Sequence, residues 1–110
     1  MSDHDYNPPH KPALDSLLIG MPGVKLGKAF GHSAYKVNGK VFAFVLNTGV
    51  AIKLPAERVQ ELLPAHPEMN IFQVAEGIVW KEWLTIEHPD ADDYVQDIGL
   101  FEESVQFVVG

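Results

Sequence analysis

The five histidines have the clearest capacity for chemistry, because imidazole titrates near neutral pH and is a common metal ligand. They are His4, His10, His32, His66 and His88. No two of them have HxH, HxxH or HExxH spacing, which disfavours a metal site. His32 is the strongest candidate, since it lies between a glycine and a serine in KAFGHSAYK, next to predicted strand ends. A partly exposed histidine at a bulge, without a chemical role, is the alternative.

Other catalytic and cofactor-binding motifs are missing from the sequence. The chain has no cysteine, which excludes disulfides, thiol nucleophiles and thiolate metal sites. Ser33 lacks a GxSxG context, and neither GxxxxGK[ST] nor GxGxxG occurs. Four acids before the last predicted helix lack calcium-loop spacing and fit helix capping better; they are Asp90, Asp92, Asp93 and Asp97. We therefore predict no catalytic residue, no metal and no cofactor.

Charge is unevenly distributed along the chain. The formal net charge of −7 disfavours a general nucleic-acid binder, which needs cations to neutralise phosphates. Residues 61–110 carry one lysine and eleven acids, whereas residues 24–53 carry no acid and five lysines: Lys25, Lys28, Lys36, Lys40 and Lys53. The basic segment is either an ordinary solvated surface or a binding patch.

Aromatic residues close to lysines can stack on bases or anchor a protein interface. Phe30 and Tyr35 lie within the basic segment, and Trp80 and Trp83 are three residues apart in GIVWKEWLTIE. Residues i and i+3 of a regular strand point to opposite faces, so one tryptophan is expected in the core and the other at the surface. A second candidate site, for a small ligand, comprises His32, Tyr35 and Trp83 at the end of the predicted sheet.

The stretch AYKVNGKVFAFVLNTGVAIKLP, residues 34–55, predicts the strands that position these side chains. Asn38-Gly39 is typical of a two-residue hairpin turn, which opposes Tyr35 to Phe42 and Lys36 to Val41. A three-residue loop ending at Gly49 would set the next register, with the pairs Leu46–Val50, Phe44–Ile52 and Phe42–Leu54.

This register gives the predicted meander two different faces. Large residues form the core face: Tyr35, Val37, Phe42, Phe44, Leu46, Val50, Ile52 and Leu54. Small aliphatic residues and lysines form the outer face: Ala34, Lys36, Val41, Ala43, Val45, Ala51 and Lys53. The outer face is expected to be an ordinary open sheet surface, to lie under the C-terminal segment, or to contact a partner.

The order of elements predicts an α+β domain of two layers, an antiparallel sheet with helices packed on one face. Helical patterns begin at Pro12 and Ala56 and recur near the C-terminus, with strands between them. We expect one domain over residues 12–110 after a flexible tail, residues 1–11. No apolar run is long enough to span a bilayer and MSDHDYNPPHKP is unlike a signal peptide, so we expect a cytoplasmic protein.

Four segments together resemble the YjbR/MmcQ family and the related TfoX N-terminal domain family: MPGV, KAFGHSAYKVNGKVFAFV, VAIKLPAERVQELL and WKEWLTIE. The likeness runs from about Leu17 to the end of the chain. It implies a CyaY/YjbR-like fold and brings no agreed catalytic residues. Some members are proposed to bind DNA through the sheet and its hairpins, which implies a role here for Lys36, Lys40, Lys53 and Tyr35.

Two functions are therefore expected. The first is a non-enzymatic interaction module that uses the outer sheet face and its lysines to bind a protein, including another copy of the chain, or nucleic acid. No membrane partner is expected. The second is a small-molecule-binding or catalytic site near His32, Tyr35 and Trp83.

Overall fold

A six-stranded antiparallel sheet carries three α-helices against one face, as the computed structural model shows. The structure describes residues 10–46, 49–75 and 78–110. The sheet order is β1-β2-β3-β4-β6-β5. The elements are α1 Lys11–Ile19, β1 Val24–Ala29, β2 His32–Val37, β3 Lys40–Val45, β4 Val50–Lys53, α2 Ala56–Leu62, β5 Met69–Ala75, β6 Ile78–Ile86 and α3 Ile98–Val109. The predicted α+β class with helices on one face is confirmed.

The main core lies between the helices and the sheet. The helices contribute their apolar stripes, with Leu14 and Leu18 from α1, Val59 and Leu62 from α2, and Phe101 from α3. The strands contribute Tyr35, Val37, Phe42, Val45, Val50, Ile52, Leu54, Leu84 and Ile86. Each large side chain that is fully removed from water contributes about 1.5–3 kcal/mol of transfer free energy, so this layer dominates the stability of the fold.

Two hairpins in the first half of the sheet use the same kind of turn. Asn38 and Gly39 have positive φ angles of 53° and 77°, which confirms the predicted turn between β2 and β3. Phe30 and Gly31 have φ angles of 55° and 79° and form an equivalent turn between β1 and β2. The sequence analysis did not identify this second turn, because a phenylalanine rarely adopts positive φ.

A β-bulge changes the predicted register of β2 and β3. Lys36 pairs with Val41 as predicted, but Tyr35 pairs with Ala43 and not with Phe42. Phe42 is the extra residue and lies in the core as predicted, but Ala43, Phe44 and Val45 each face the side opposite to the prediction. Val45 therefore joins the helix-covered core and Phe44 points to the outer face.

The register of β3 and β4 also differs from the prediction by one residue. Val45 pairs with Val50, and two neighbouring pairs follow in step, Phe44–Ala51 and Ala43–Ile52. The predicted pairs Leu46–Val50, Phe44–Ile52 and Phe42–Leu54 are wrong. Asn47 and Thr48 of the predicted loop lie outside the described residues. Because the bulge had already reversed the faces of β3, this second shift returns the apolar residues of β4 to the core.

A register jump in β6 brings both tryptophans to one side. Ile71 of β5 pairs with Leu84, but the next residue, Phe72, pairs with Trp80. The residues between them on β6 break the alternation that the sequence analysis assumed. Trp80 and Trp83 therefore both pack with Phe44 on the outer face, and the expectation that they point to opposite faces is wrong.

The described chain begins at His10, directly before α1. Of the expected tail, residues 1–11, the structure describes only His10 and Lys11, and Lys11 opens the helix. His10 Nδ1 lies 2.8 Å from the hydroxyl of Tyr94. Within the described ranges, no helix is both long and apolar enough to span a membrane.

Candidate binding surface on the outer sheet face

Aromatic side chains occupy the outer sheet face, which is the face opposite the helices. We call Phe30, Phe44, Phe72, Trp80 and Trp83 the aromatic cluster. Phe44 is fully buried at its centre, and Trp83 is 7% exposed. Ring centroids lie 4.9 Å apart for Phe44 and Trp83 and 5.6 Å apart for Phe72 and Trp80. These distances suit edge-to-face and tilted aromatic contacts, so the cluster is a second, smaller core.

The aromatic cluster shows that the sheet is strongly curled. Phe30 lies in the turn between β1 and β2, and Trp80 lies on β6, at least three strand positions away. Strands are about 4.8 Å apart, so a flat sheet would separate these residues by about 14 Å or more. Their ring centroids are only 4.9 Å apart. The outer face is therefore concave, and the tip of the first hairpin bends over it.

Phe30 is the exposed member of the cluster. Its ring makes T-shaped contacts with Phe44, Trp80 and Trp83, yet the residue is 55% exposed. Its backbone is in the left-handed region at φ 55°, which costs a non-glycine residue on the order of 1–3 kcal/mol. A strained, half-exposed phenylalanine contributes less to the free energy of unfolding than a fully buried one of the same size. Such residues concentrate at functional sites.

Next to the cluster, the sheet opens between β3 and β4. The ladder of these strands joins residues 43–45 to residues 50–52, and both strands extend beyond it. In the open part, the hydroxyl of Ser104 on α3 donates a 3.0 Å hydrogen bond to the carbonyl of Phe42. The amide of Leu54 donates to the carbonyl of Glu82 at 2.9 Å, which continues the pairing of β4 with β6. At the opening, the helix thus satisfies the Phe42 carbonyl, which a continuous ladder with β4 would have paired.

A groove of about 410 Å³ lies at this opening, and we call it the split-sheet groove. Its walls come from the outer face and from the last turn of α3, so it joins the aromatic cluster to the helix layer. It is lined by Phe30, Lys40, Val41, Lys53, Glu82, Trp83, Phe107 and Val108. The groove therefore combines apolar walls with two cations and one acid.

The structure separates the predicted lysines into two groups. Lys40 and Lys53 line the split-sheet groove, and the ammonium of Lys53 lies 5.8 Å from the centroid of the Trp83 ring. This distance is within the range of a cation–π interaction. Lys36 lies outside the groove lining, with its aliphatic stem against Gly27 of β1, where any side chain would displace it. Lys36 thus flanks the surface and does not form it.

Tyr35 lies on the opposite side of the sheet from these lysines. It is fully buried in the helix-covered core, and its hydroxyl donates a 2.6 Å hydrogen bond to Oδ1 of Asp15 on α1. Burial raises the pKa of Tyr35, and the hydrogen bond and the negative charge of Asp15 raise it further. The structure therefore separates Tyr35 from Lys36, Lys40 and Lys53, and from the His32 and Trp83 side.

His32 and Trp83 are both neighbours of the central phenylalanine on the outer face. The His32 ring centroid lies 5.4 Å from that of Phe44, and the Trp83 ring packs on the same phenylalanine. His32 does not line the split-sheet groove. Of the predicted small-ligand residues, the structure thus brings two to one face and places Tyr35 on the other.

A polar cluster lies in the segment before α3 and reaches His10 through the hydroxyl of Tyr94. Nε2 of His88 lies 2.7 Å from Oδ2 of Asp97, and the backbone amide of His88 donates to the Tyr94 hydroxyl at 3.4 Å. Asp90 accepts a 3.0 Å hydrogen bond from the amide of Asp92 and caps a 3-10 helix, Ala91–Asp97, that precedes α3, whereas Asp97 makes no side-chain cap bond to α3 itself. Within the described part of the chain, no three metal-ligating side chains come together.

Sequence reasoning missed three residues that shape the surface. Phe44 was assigned to the core face, Phe107 was not considered, and Phe30 was considered only as an aromatic near lysines. The dipeptide Phe30-Gly31 held a signal, because glycine after a turn residue is typical of this turn type.

Comparison with protein-family models, curated proteins and solved structures gives no match. The resemblance to the YjbR/MmcQ family stays a prediction.

Proposed function

We propose that this protein is a non-enzymatic interaction module that binds a partner protein through its concave outer sheet face. One observation carries the proposal: Phe30, in a strained turn, holds its ring half exposed above the aromatic cluster and beside Lys40 and Lys53. Exposed aromatic side chains with a buried apolar surround and a charged rim are typical of protein interfaces.

Nucleic acid is a weaker candidate for the partner. Binding to single strands relies on exposed ring faces on which successive bases stack. Among the described residues, Phe30 is the only aromatic residue with a largely exposed side chain, because the other rings of the cluster cover one another. The net charge of −7 also opposes sequence-independent phosphate binding. The DNA role implied by the family resemblance therefore has less support than a protein partner.

The small-molecule alternative near His32, Tyr35 and Trp83 also has less support. Tyr35 is fully buried on the other side of the sheet, and His32 lies outside the groove lining. Glu82 is the one acid among the described residues that line the groove, and an acid–base pair would need a second titrating group in reach of the same atom. The groove favours binding over catalysis.

The proposal is tested by capture from a lysate of the source cells, using tagged wild-type protein and two variants. Phe30→Asn removes the exposed ring with a residue that fits the turn. Val95→Asn is the matched control, because Val95 is 58% exposed on the helix side of the molecule. We expect the wild type and Val95→Asn to retain the same protein partner, and Phe30→Asn to lose it.

Equal capture by all three proteins would place the interface elsewhere and contradict the proposal. Anisotropy of a labelled DNA duplex at low and moderate salt provides the second measurement. Salt-sensitive binding that weakens in Lys36→Ala and Lys40→Ala would support the nucleic-acid role over the protein role.

A further inference from the structure

The walls and charges of the split-sheet groove favour one kind of ligand. Identifying that ligand extends the function proposed above, on which this inference rests. We propose that the groove binds an acidic peptide segment of the partner protein, with one large apolar side chain inserted and carboxylates beside Lys40 and Lys53.

The apolar walls of the groove fit a single large side chain. Trp83 forms the buried floor and Phe30 one exposed wall, while Val41 and the last turn of α3 close the other sides. Phe107 and Val108 contribute that turn. An aromatic or branched aliphatic side chain placed here would meet apolar atoms from three different elements. Interface anchors of this kind fill pockets near the centre of the contact.

The charges beside these walls favour carboxylates on the occupant. Lys40 is exposed at the rim, and Lys53 is half buried with its ammonium over the Trp83 ring. Among the described residues of the lining, Glu82 is the single acid, against the two cations Lys40 and Lys53. A partly buried lysine gains more from an anionic partner than a fully solvated one, because water screens the interaction less.

The shape of the groove favours a peptide over a free small molecule. Sites for small molecules commonly bury most of the ligand surface, whereas here Phe30 and Lys40 leave one side open. The peptide is expected to bind through its side chains and not by adding a strand. The Phe42 carbonyl, which faces the opening, is already bonded to the Ser104 hydroxyl and is not free to pair with an added strand.

The test uses the full chain and three capped pentapeptides. The first has four glutamates around a central phenylalanine; the second replaces that phenylalanine with alanine; the third replaces the glutamates with lysines. The readout is the pair of tryptophan indole N–H signals in a ¹H–¹⁵N spectrum, since the chain has two tryptophans and both lie in the cluster. We expect saturable shifts with the first peptide, and binding at least roughly tenfold weaker with each of the others.

Two pairs of lysine variants separate the groove from general electrostatics. Lys40→Met and Lys53→Met keep the apolar stem and remove the charge inside the groove. Lys25→Met and Lys28→Met remove equal charge from exposed positions of β1 that do not line it. We expect roughly two- to fivefold weaker binding for each groove variant and unchanged binding for each β1 variant.

Equal binding of the alanine and phenylalanine peptides, or equal loss in both lysine pairs, would overturn the inference in favour of nonspecific attraction. Binding of the lysine peptide as tightly as the acidic one would overturn its charge assignment. Absence of binding by the first peptide, with partner capture still dependent on Phe30, would reject the acidic segment and leave the interaction module standing. If the first peptide does not bind and partner capture does not depend on Phe30, both proposals are rejected.

Discussion

Phe30 adopts a left-handed backbone conformation that asparagine or glycine adopts at lower cost, as Asn38 does in the following hairpin. Its ring contacts three aromatic neighbours, but more than half of the residue remains in water. Local backbone preference and side-chain packing therefore oppose each other at this position. An interaction that uses the exposed ring would explain why a phenylalanine stands there.

Phe30→Asn is predicted to change the free energy of unfolding by no more than about 1 kcal/mol, because relief of backbone strain offsets lost contacts. Phe44→Ala, at the buried centre of the same cluster, is expected to cost about 3–5 kcal/mol. Urea denaturation followed by circular dichroism measures both. A loss at Phe30 as large as that at Phe44 would show that Phe30 serves the fold.

Tyrosine ionisation is predicted to make stability fall at alkaline pH. Burial raises the pKa of Tyr35 and of Tyr94, and Asp15 raises that of Tyr35 further. Both side chains therefore ionise at a higher pH in the folded protein than in the unfolded chain, where tyrosine ionises near pH 10. Their contribution is fully present below pH 10 and is lost as pH rises through the raised folded-state pKa, with a slope of at most about 1.4 kcal/mol per pH unit for each tyrosine.

Melting temperatures measured between pH 8 and about pH 11.5 check this expectation. Tyr35→Phe should lower the melting temperature near neutral pH, since the hydrogen bond to Asp15 is lost. The same variant should show a shallower decline above pH 10. An identical alkaline slope in the variant and the wild type would mean that Tyr35 ionises as freely in the folded state as in the unfolded state.

At the scale of elements, the sequence predicted where strands occur better than which way their side chains point. The outer position of Phe44 depends on one extra residue in β3, and that of Trp80 on the register jump in β6. An apolar run such as VFAFVL satisfies either alternation, because both faces of this strand are buried. Two-residue periodicity cannot locate a bulge in such a run, so the aromatic cluster could not be predicted.

Ser104→Ala is predicted to destabilise the protein by about 1–3 kcal/mol. The buried hydroxyl of Ser104 is the partner of the Phe42 carbonyl at the opening of the sheet, and its removal leaves that acceptor unsatisfied. Ser16→Ala is the control, since Ser16 is exposed on α1. Chemical denaturation compares the two. Equal stability of both variants would indicate that water replaces the serine hydroxyl without cost.

Gly49→Ala is predicted to be the more damaging of two glycine substitutions. A Cβ at Gly49 would collide with the carbonyl oxygen of Ile86, because β4 and β6 approach closely there. Gly99 lies near the start of α3 and has open space around an added Cβ. Gly99→Ala should therefore leave the free energy of unfolding unchanged or raise it by up to about 1 kcal/mol. Thermal unfolding distinguishes them; comparable melting temperatures would mean that β4 shifts to accept the methyl group.

At the scale of the whole molecule, the order and type of elements followed from turn signals and helical spacing. The α+β class, with helices on one face of an antiparallel sheet, is confirmed. The charge division along the chain also has a spatial counterpart. Lys40 and Lys53 line the groove, whereas α2 and α3 expose acids, namely Glu57, Glu61, Glu102 and Glu103. The position of the groove depends on how β3, β4 and α3 meet, which no single segment determines.

The opening between β3 and β4 divides the sheet into two three-stranded halves, β1-β2-β3 and β4-β6-β5. Three residue pairs join these halves, the shortest ladder among the described strands. Transient separation at this junction opens fewer paired residues than separation at any other described strand pair, so the amides that donate across it are expected to exchange faster than those that donate between β2 and β3 or between β4 and β6. Lys40 and Lys53 lie on different halves, so an occupant that contacts both links them and slows that exchange.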